Sequence, residues 1–241
     1  MSVAIIQARF SSTRLPGKVL EPLGSSTVLG WTVRAAQTAG CVQTVVVATS
    51  TDSSDDQTAD AARTYGAHVV RGPLDDVLSR YILAADQFPA DNYVRLTADC
   101  PLLDPALVDA CVALLEADPL LDLTSNAIVR SYPRGLDVEV FRASSLAASD
   151  QRATGYHRVH VTTWMTDHPE EFNVAAVVAS DDASDLRVTI DTREDLAVVR
   201  AVVNALGDGP FSAHALITWL RSNPSIAELN SHVSQKRDDE G

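Results

Sequence analysis

The sequence lacks paired cysteines, an excess of basic residues and any long apolar run. Its three cysteines, Cys41, Cys100 and Cys111, form no C-x-x-C pair, which fits a reducing cytoplasm better than a disulfide framework. The formal net charge is −13, and an acidic surface disfavours a nucleic-acid partner. No stretch approaches the ~20 apolar residues that span a bilayer, and no basic leader precedes the first apolar run. We therefore expect a cytoplasmic protein with no membrane partner.

Two common glycine-rich nucleotide motifs are also missing. Gly17-Lys18 is followed by Val19, and no glycine lies five positions before Gly17, so the chain has no Walker A loop. No G-x-G-x-x-G follows the first apolar run either, which disfavours a dinucleotide site. The remaining composition, 46% hydrophobic and 21% charged residues over 241 positions, is typical of a globular protein that needs no disulfide or metal to fold.

The first hundred residues alternate short β-branched runs with helical patterns. Such alternation predicts βαβ units, a mainly parallel sheet and right-handed crossovers. The predicted strands are 3–7, 44–48, 67–70 and 93–96, and the predicted helices are 28–38, 56–65 and 76–85.

The pattern changes after residue 99. The strict apolar alternation of 136–141 predicts a half-exposed, antiparallel strand, and the other elements predicted here are strands 172–179 and 186–190 and helices 105–116, 193–206 and 212–221. Asp104 and Thr192 are the expected N-caps of the first two helices. We expect one domain over 1–230, with an insertion near 130–180 on the acceptor side or at a dimer contact, and a polar, flexible tail over 231–241.

A basic loop follows the first predicted strand directly. Residues 8–18 contain Arg9, Arg14 and Lys18, together with three hydroxyl side chains at 11–13. Ligands of open parallel sheets bind beyond the carboxyl ends of the strands, and a triphosphate is held by backbone amides, bidentate arginines and a lysine. The loop is therefore a candidate triphosphate site, with a solvated surface loop as the alternative.

Two aspartates occupy equivalent positions after predicted strands. Asp99 follows strand 93–96, and Asp191 follows strand 186–190. Magnesium in proteins typically takes one or two carboxylates together with substrate phosphates. These residues are thus candidate Mg²⁺ ligands facing the basic loop, and the alternative is that Asp99 caps a turn and Asp191 caps the helix that follows.

The segment IIQARFSSTRLPGKVL resembles the opening signature of the cytidylyltransferases that make CMP-activated sugars, approximately A-R-x-x-S-x-R-x-x-x-K. The likeness is greatest to the branch named for a spore-coat polysaccharide biosynthesis protein, which is related to the CMP-KDO and CMP-sialic acid synthetases. It continues through RGPLDDVLSRY, RLTADCPLLDP, YPRGLDVEVF and VTIDTREDL, in order over residues 3–200. The residues that match the opening signature are Ala8, Arg9, Ser12, Arg14 and Lys18.

This resemblance implies a three-layer αβα, Rossmann-like fold of the nucleotide-diphospho-sugar transferase type, with a small antiparallel embellishment. It implies Mg²⁺-dependent transfer of CMP from CTP to a small anionic acceptor, with release of pyrophosphate. Sugar acids, sugars and phosphonates all suit such a site, and the resemblance does not identify which of them is the acceptor. A homodimer is expected by analogy alone.

The resemblance also assigns roles to individual residues. Those implied in catalysis are Arg14, Lys18, Asp99 and Asp191, the last two as the metal ligands. Those implied in nucleotide binding are Ala8, Arg9, Ser12, Arg14, Lys18, Arg71 and Thr97. Those implied in acceptor binding are Arg134, Asp137, Glu139, Arg158 and His160.

The segment YHRVHVT departs from the family pattern. The resembling branch usually has Arg-Glu-His-Val-Thr, and Val159 replaces the glutamate, whereas Arg158 and His160 fit. The role of this segment is therefore open. Arg80 is expected to pair with Asp76, four residues earlier on the same predicted helix.

Three other functions compete with this interpretation. A glycosyltransferase of similar fold commonly carries Asp-x-Asp after a central strand, whereas this chain has Asp99-Cys100-Pro101. A guanylyltransferase acting on a molybdenum cofactor has loops richer in glycine. A nucleotide-binding regulator would bind CTP with magnesium and release nothing.

Overall fold

The computed structural model describes residues 1–235, which surround a seven-stranded sheet. Its strand order is β5-β4-β1-β6-β8-β7-β9, and a two-stranded hairpin, β2-β3, lies apart from it. The strands are β1 Ser2–Gln7, β2 Pro22–Leu23, β3 Ser26–Thr27, β4 Val42–Ser50, β5 His68–Gly72, β6 Asn92–Thr97, β7 Leu123–Ser125, β8 Glu139–Arg142 and β9 Val174–Ala176. The helices are α1 Val28–Thr38, α2 Asp56–Thr64, α3 Val77–Gln87, α4 Pro105–Ala117, α5 Ala143–Arg152, α6 Thr163–Asp167, α7 Arg193–Leu206, α8 Ala213–Ser222 and α9 Pro224–Ala227.

The central strand β1 is parallel to both neighbours, β4 and β6, and β4 is parallel to β5. The antiparallel strand is β8, which pairs with β6 on one side and β7 on the other. The predicted α/β class, with a mainly parallel sheet and an antiparallel strand after residue 136, is therefore confirmed.

Both faces of the sheet are covered. In β1, Ala4 and Ile6 pack into one apolar core, and Val3 and Ile5 pack into the other. Side chains alternate across a strand, so a strand buried on both faces reads as a continuous apolar run. This explains why β1 shows no polar alternation, and it gives the molecule its three layers.

The helix boundaries agree closely with the capping signals in the sequence. Helices α1 and α7 begin and end as predicted. Asp104 accepts a hydrogen bond from the amide of Ala106 and caps α4, and Thr192 forms a reciprocal capping box with Asp195 at the start of α7. These caps satisfy amides that the helix itself leaves unpaired.

The strand predicted at 186–190 is wrong. Within residues 1–235, Arg187 alone in this segment forms a β-bridge, with Arg134, and the amide of Ile190 donates to the carbonyl of Asp99. The neighbours of this segment are turns rather than strands, so no ladder extends along it. The hydrogen bond from Ile190 to Asp99 nevertheless holds the end of this segment beside the turn after β6, and Asp191 lies in the same cleft as Asp99.

Other elements were shorter than predicted or were not predicted. The strand predicted at 172–179 is reduced to β9, and β8 begins at Glu139 instead of 136. Strand β7 and helix α5 had no counterpart in the prediction. Among residues 1–235, no helix is long and apolar enough to cross a membrane.

The predicted tail falls partly outside the described residues, which end at 235. Within them, the carbonyl of Ser234 accepts a hydrogen bond from Arg14, and the side chain of Gln235 accepts one from Arg187. The segment 231–235 therefore contacts residues near the carboxyl ends of the strands.

Candidate active site

A cleft of about 590 Å³ lies over the carboxyl ends of β1 and β6 and the start of α3. In parallel sheets this edge is the usual place for a ligand. Eight residues with an implied role in nucleotide or metal binding lie in its lining: Ala8, Arg9, Ser12, Arg14, Lys18, Thr97, Asp99 and Asp191.

The basic loop after β1 is closed by hydrogen bonds within itself and to the neighbouring turn. The amide of Gly17 donates to the carbonyl of Phe10. Gly17 has a φ of 73°, a left-handed conformation that glycine adopts without a Cβ clash. The amide of Phe10 donates to the carboxylate of Asp55 at 2.5 Å.

Asp55 is a fully buried carboxylate that the sequence interpretation missed. Besides the amide of Phe10, it accepts hydrogen bonds from the amide of Ser50, at 3.2 Å, and from the hydroxyl of Ser50. It thus joins the loop after β1 to the end of β4. The run of serines and aspartates at 50–56 was the available signal, because such residues cap turns through their side chains.

Lys18 lies between the two candidate metal ligands. Its Nζ is 2.6 Å from Oδ2 of Asp99 and 2.8 Å from Oδ1 of Asp191. Burial alone would lower the pKa of Lys18, but the two carboxylates raise it above its ordinary value. Burial alone would likewise raise the pKa of Asp191, and Lys18 and Arg14 instead hold that pKa at about 2. Lys18 and Asp191 are therefore both charged at neutral pH.

A second layer of charged side chains surrounds Asp191. Nη2 of Arg14 lies 2.9 Å from its Oδ2, and Nη2 of Arg187 lies 2.6 Å from the same oxygen. Arg187 also pairs with the fully buried Asp195 at 2.8 Å. The carboxylate of Asp195 in turn accepts from the amides of Asp191 and Thr192. The capping box of α7 therefore positions Asp191. Neither Arg187 nor Asp195 was predicted from the sequence to belong to the site.

The two aspartates fit a hard divalent cation. Their carboxylates approach one another closely enough to share a single ammonium group, and oxygen donors are what Mg²⁺ prefers. Within residues 1–235, no group of three or more His, Cys, Asp or Glu side chains has metal-binding geometry. Further ligands would have to be nucleotide oxygens or water, as is usual for magnesium.

Arg71 and Thr97 have different surroundings. The hydroxyl of Thr97 lies in the cleft, 3.1 Å from Sγ of Cys100. Arg71 is absent from the lining, and its guanidinium is engaged by the segment after β4. It donates to the carbonyls of Ser50 and Asp52 and to the carboxylate of Asp56, at 2.7 to 2.8 Å. The structure thus brings Thr97, but not Arg71, to the cleft.

Of the five implied acceptor-binding residues, only His160 lies in the lining, next to Val159. Arg158 instead bonds the carboxylates of Asp76 and Asp150 at 2.7 and 2.9 Å and the hydroxyl of Ser79 at 2.9 Å. It thereby ties the turn before Val159 to α3 and α5.

The remaining three implied acceptor residues also lie outside the lining. Asp137 pairs with Arg130 at 2.6 Å. Glu139 pairs with Arg95 and accepts from the hydroxyl of Thr162. Arg134 is half-buried, and burial lowers its pKa.

Arg80 does not form the expected pair with Asp76. The carboxylate of Asp76 is taken by Arg158 and by the amide and hydroxyl of Ser79. Arg80 lies in the lining of the cleft but is only 2% exposed. Helical spacing alone favoured the local pair, because the competing arginine is 82 positions away in the sequence.

Comparisons with known proteins agree with this geometry. A family model described as cytidylyltransferase matches residues 3–219. The spore coat polysaccharide biosynthesis protein SpsF of Bacillus subtilis is 34% identical over 232 residues, which cover 92% of this chain and 95% of that protein. The resemblance noted in the sequence is thus confirmed.

Two solved structures have the same fold. A cytidylyltransferase from Leptospira borgpetersenii superimposes with a TM-score of 0.91 and 33% identity, covering 98% of this chain and 99% of that one. CMP:2-keto-3-deoxy-manno-octonic acid synthetase in complex with CTP superimposes with a TM-score of 0.68 and 19% identity, over 85% and 99% of the two chains. At 19% identity, the similarity to this second structure concerns the fold alone. That fold is the predicted nucleotidyltransferase type. The chain therefore belongs to the cytidylyltransferase family.

Proposed function

We propose that this protein transfers CMP from CTP to a small anionic acceptor and releases pyrophosphate. The observation that supports this most is the position of Lys18, which bridges Asp99 and Asp191 inside a cleft lined by the basic loop. Paired carboxylates beside a cluster of cations are what a nucleotide with a divalent counter-ion requires. Because the chain belongs to the cytidylyltransferase family, CTP is the expected nucleotide.

The basic loop is proposed to hold the triphosphate. Arg9, Arg14 and Lys18 all lie in the lining of the cleft, and their charges oppose those of the β- and γ-phosphates. In the nucleotide complex, Lys18 and Arg14 would exchange their present carboxylate partners for phosphate oxygens. These cations would then stabilise the negative charge that develops on the departing pyrophosphate.

Asp99 and Asp191 are proposed to hold Mg²⁺ together with nucleotide oxygens. The bound ion would neutralise charge at the α-phosphate and so favour nucleophilic attack there. Arg187 and Asp195 hold the carboxylate of Asp191 in place through the contacts described above. The chain itself therefore supplies orientation and electrostatics and no covalent intermediate.

In the proposed reaction, an oxygen of the acceptor attacks the α-phosphorus of CTP in line with the bond to the bridging oxygen. A new phosphorus–oxygen bond forms to the acceptor, the bond to the bridging oxygen breaks, and its electron pair leaves with pyrophosphate. The acceptor can be a sugar acid, a sugar or a phosphonate.

The test is to incubate the protein with each nucleoside triphosphate, magnesium and a panel of such acceptors, and to measure pyrophosphate. We expect release with CTP only when an acceptor is present, and none from an Asp99→Asn variant. Release of a nucleoside diphosphate from a nucleotide-sugar would instead identify a glycosyltransferase, and pyrophosphate with GTP alone a guanylyltransferase. Binding of CTP without turnover on any acceptor would identify a regulator.

We also propose a homodimer located in the cytoplasm. Exposed apolar side chains at Ile128, Val129 and Val178 support a contact surface at or beside the segment 130–180. Light scattering of the purified protein tests this, and a monomer across the micromolar range would contradict it.

A further inference from the structure

The C-terminal segment, residues 228–235, lies beside the second layer of charges around Asp191. It begins with the 3₁₀ turn Glu228–Asn230, which packs against α7, the helix that carries Asp195. Gln235, at the end of the described chain, lies in the lining of the cleft. The function proposed above gives this segment no part, although the segment contacts the side chains that hold Asp191.

Asn230 anchors the C-terminal segment inside the fold. It is only 1% exposed. Its side-chain amide donates to the carboxylate of Asp195 at 2.8 Å and to the backbone carbonyl of Arg187 at 3.2 Å. Buried amides are normally hydrogen-bonded, because they have lost their contacts with water. Both bonds of Asn230 go to the residues that hold Asp191, so the anchor of the segment is also a contact of the candidate site.

Two arginines join the C-terminal segment to Asp191. Nη2 of Arg14 and Nη2 of Arg187 both contact Oδ2 of Asp191. The other terminal nitrogen of each arginine bonds the segment. Nη1 of Arg14 donates to the carbonyl of Ser234 at 3.3 Å. Nη1 of Arg187 donates to Oε1 of Gln235 at 2.9 Å. Each guanidinium thus lies between the candidate metal ligand and the segment.

The guanidinium of Arg187 is held from three sides. It offers five N–H donors in one plane. Two hydrogen bonds go to Asp195, one goes to Asp191 and one goes to Gln235. Asp195 is fully buried, whereas Gln235 is exposed. The bond to Gln235 is therefore the contact through which the surface of the protein fixes the orientation of Arg187.

Resting on the function proposed above, we propose that Gln235 is a positioning residue for Asp191 and acts through Arg187. Asp191 now has three cationic partners, Lys18, Arg14 and Arg187. In the proposed nucleotide complex the first two exchange Asp191 for phosphate oxygens, so Arg187 is the partner that stays. An Arg187 held by both Asp195 and Gln235 then keeps the carboxylate of Asp191 at the cleft, where it would bind Mg²⁺.

The test is calorimetric titration of CTP without any acceptor, once with magnesium and once with EDTA. The quantity compared is the ratio of the two affinities, which reports the metal-dependent part of binding. Gln235→Met removes the oxygen that accepts from Arg187 at a similar side-chain length. It is expected to reduce this ratio about 5- to 10-fold, the scale of one exposed hydrogen bond to a charged group. Gln235→Glu keeps an acceptor there, so its ratio is expected to equal that of the wild type.

Two controls separate positioning from folding. Gln87→Met changes an exposed glutamine at the last position of α3. Because α3 begins at the cleft, Gln87 lies towards the opposite edge of the sheet, and both affinities should equal those of the wild type. The second control is the Tm of Gln235→Met, which is expected to stay unchanged because the side chain is exposed. A purely structural role would lower the Tm and weaken CTP binding equally under both conditions.

An unchanged ratio in Gln235→Met would overturn the assignment, and so would an equal fall of the ratio in Gln235→Glu. The outcome is separate from that of the pyrophosphate assay. A protein whose ratio falls in Gln235→Met but which transfers nothing contradicts the proposed reaction only. A protein that releases pyrophosphate while Gln235→Met keeps the wild-type ratio contradicts the positioning role only. A wild-type protein that does not bind CTP contradicts both.

Discussion

The carboxylate of Asp55 lies 2.5 Å from the backbone nitrogen of Phe10, so the basic loop is tied to the turn that precedes α2. No charge of the loop itself takes part in this contact. The shape of the loop therefore depends on a fully buried acid 45 residues away in the sequence.

Asp55→Ala is expected to lower the free energy of unfolding by about 3 kcal/mol, because it leaves donors on Phe10 and Ser50 buried without partners. It should also weaken CTP binding by loosening the loop. Urea denaturation and calorimetry measure the two effects. The control is Asp60→Ala on the exposed face of α2, which should change the stability by no more than about 0.5 kcal/mol. A folded Asp55→Ala protein with normal CTP affinity would show that the loop holds its shape unaided.

Lys18→Ala is expected to reduce turnover on the order of 10²- to 10³-fold, the usual effect of removing one fixed electrostatic group from a reaction centre. The fold should survive, since Arg14 and Arg187 still neutralise Asp191. Initial rates of pyrophosphate release at saturating CTP, with circular dichroism as a check on folding, provide the measurement. Turnover close to that of the wild type would remove Lys18 from the mechanism.

The ion pairs of Asp191 predict a specific loss of stability in acid. Its pKa is lowered from 3.8 to about 2 in the folded protein, so the folded state favours the charged form. That contribution, about 2 kcal/mol, is fully present above pH 4 and is lost as the pH falls from 4 towards 2. Chemical denaturation at several pH values should show a steeper decline for the wild type than for Asp191→Asn. If the free energies of unfolding of the two proteins fall in parallel, other carboxylates determine the loss of stability in acid.

Gly72→Ala is expected to displace Arg80, because an added Cβ would lie 2.9 Å from Cγ of that side chain. Since Arg80 lines the cleft, CTP binding should weaken. Overpacking at a well-packed contact also costs about 1–3 kcal/mol of stability. Gly40→Ala is the matched control, because an added Cβ there would meet only the carboxylate of Asp109, at 3.6 Å and beyond. Equal CTP affinities of the two glycine variants would show that the position of Arg80 does not depend on Gly72.

The sequence located well the residues in segments that lead out of predicted strands. Lys18 and Asp99 could be expected at one edge because β1 and β6 are parallel neighbours, and parallel strands end on the same side of a sheet. Asp191 reached that edge although its strand does not exist. The apolar character of 186–190 was real, since Leu186, Val188 and Ile190 are buried, but among the described residues the segment forms a single bridge and no strand ladder.

Pairing between distant charged groups was what the sequence could not reveal. Arg71 and Arg158 fit the family signature, yet each meets carboxylates brought close by the fold. The carboxylate of Asp76 could pair with either Arg80 or Arg158. It pairs with Arg158 because of how α3 packs against α5. Helical spacing contributes only about 0.2–0.5 kcal/mol to such a pair, too little to decide between local and distant partners.

The charges around Asp191 also bear on how the protein would respond to ionic strength. Lys18, Arg14 and Arg187 are matched by three acids, Asp99, Asp191 and Asp195, so these six side chains sum to zero. When a nucleotide binds with its metal, these side chains would exchange ion-pair partners, and the set has no net charge before binding. The nucleotide would therefore not enter a site with an excess of positive charge. Added salt should therefore weaken nucleotide binding far less than it weakens a protein that holds a phosphate backbone by displacing counter-ions.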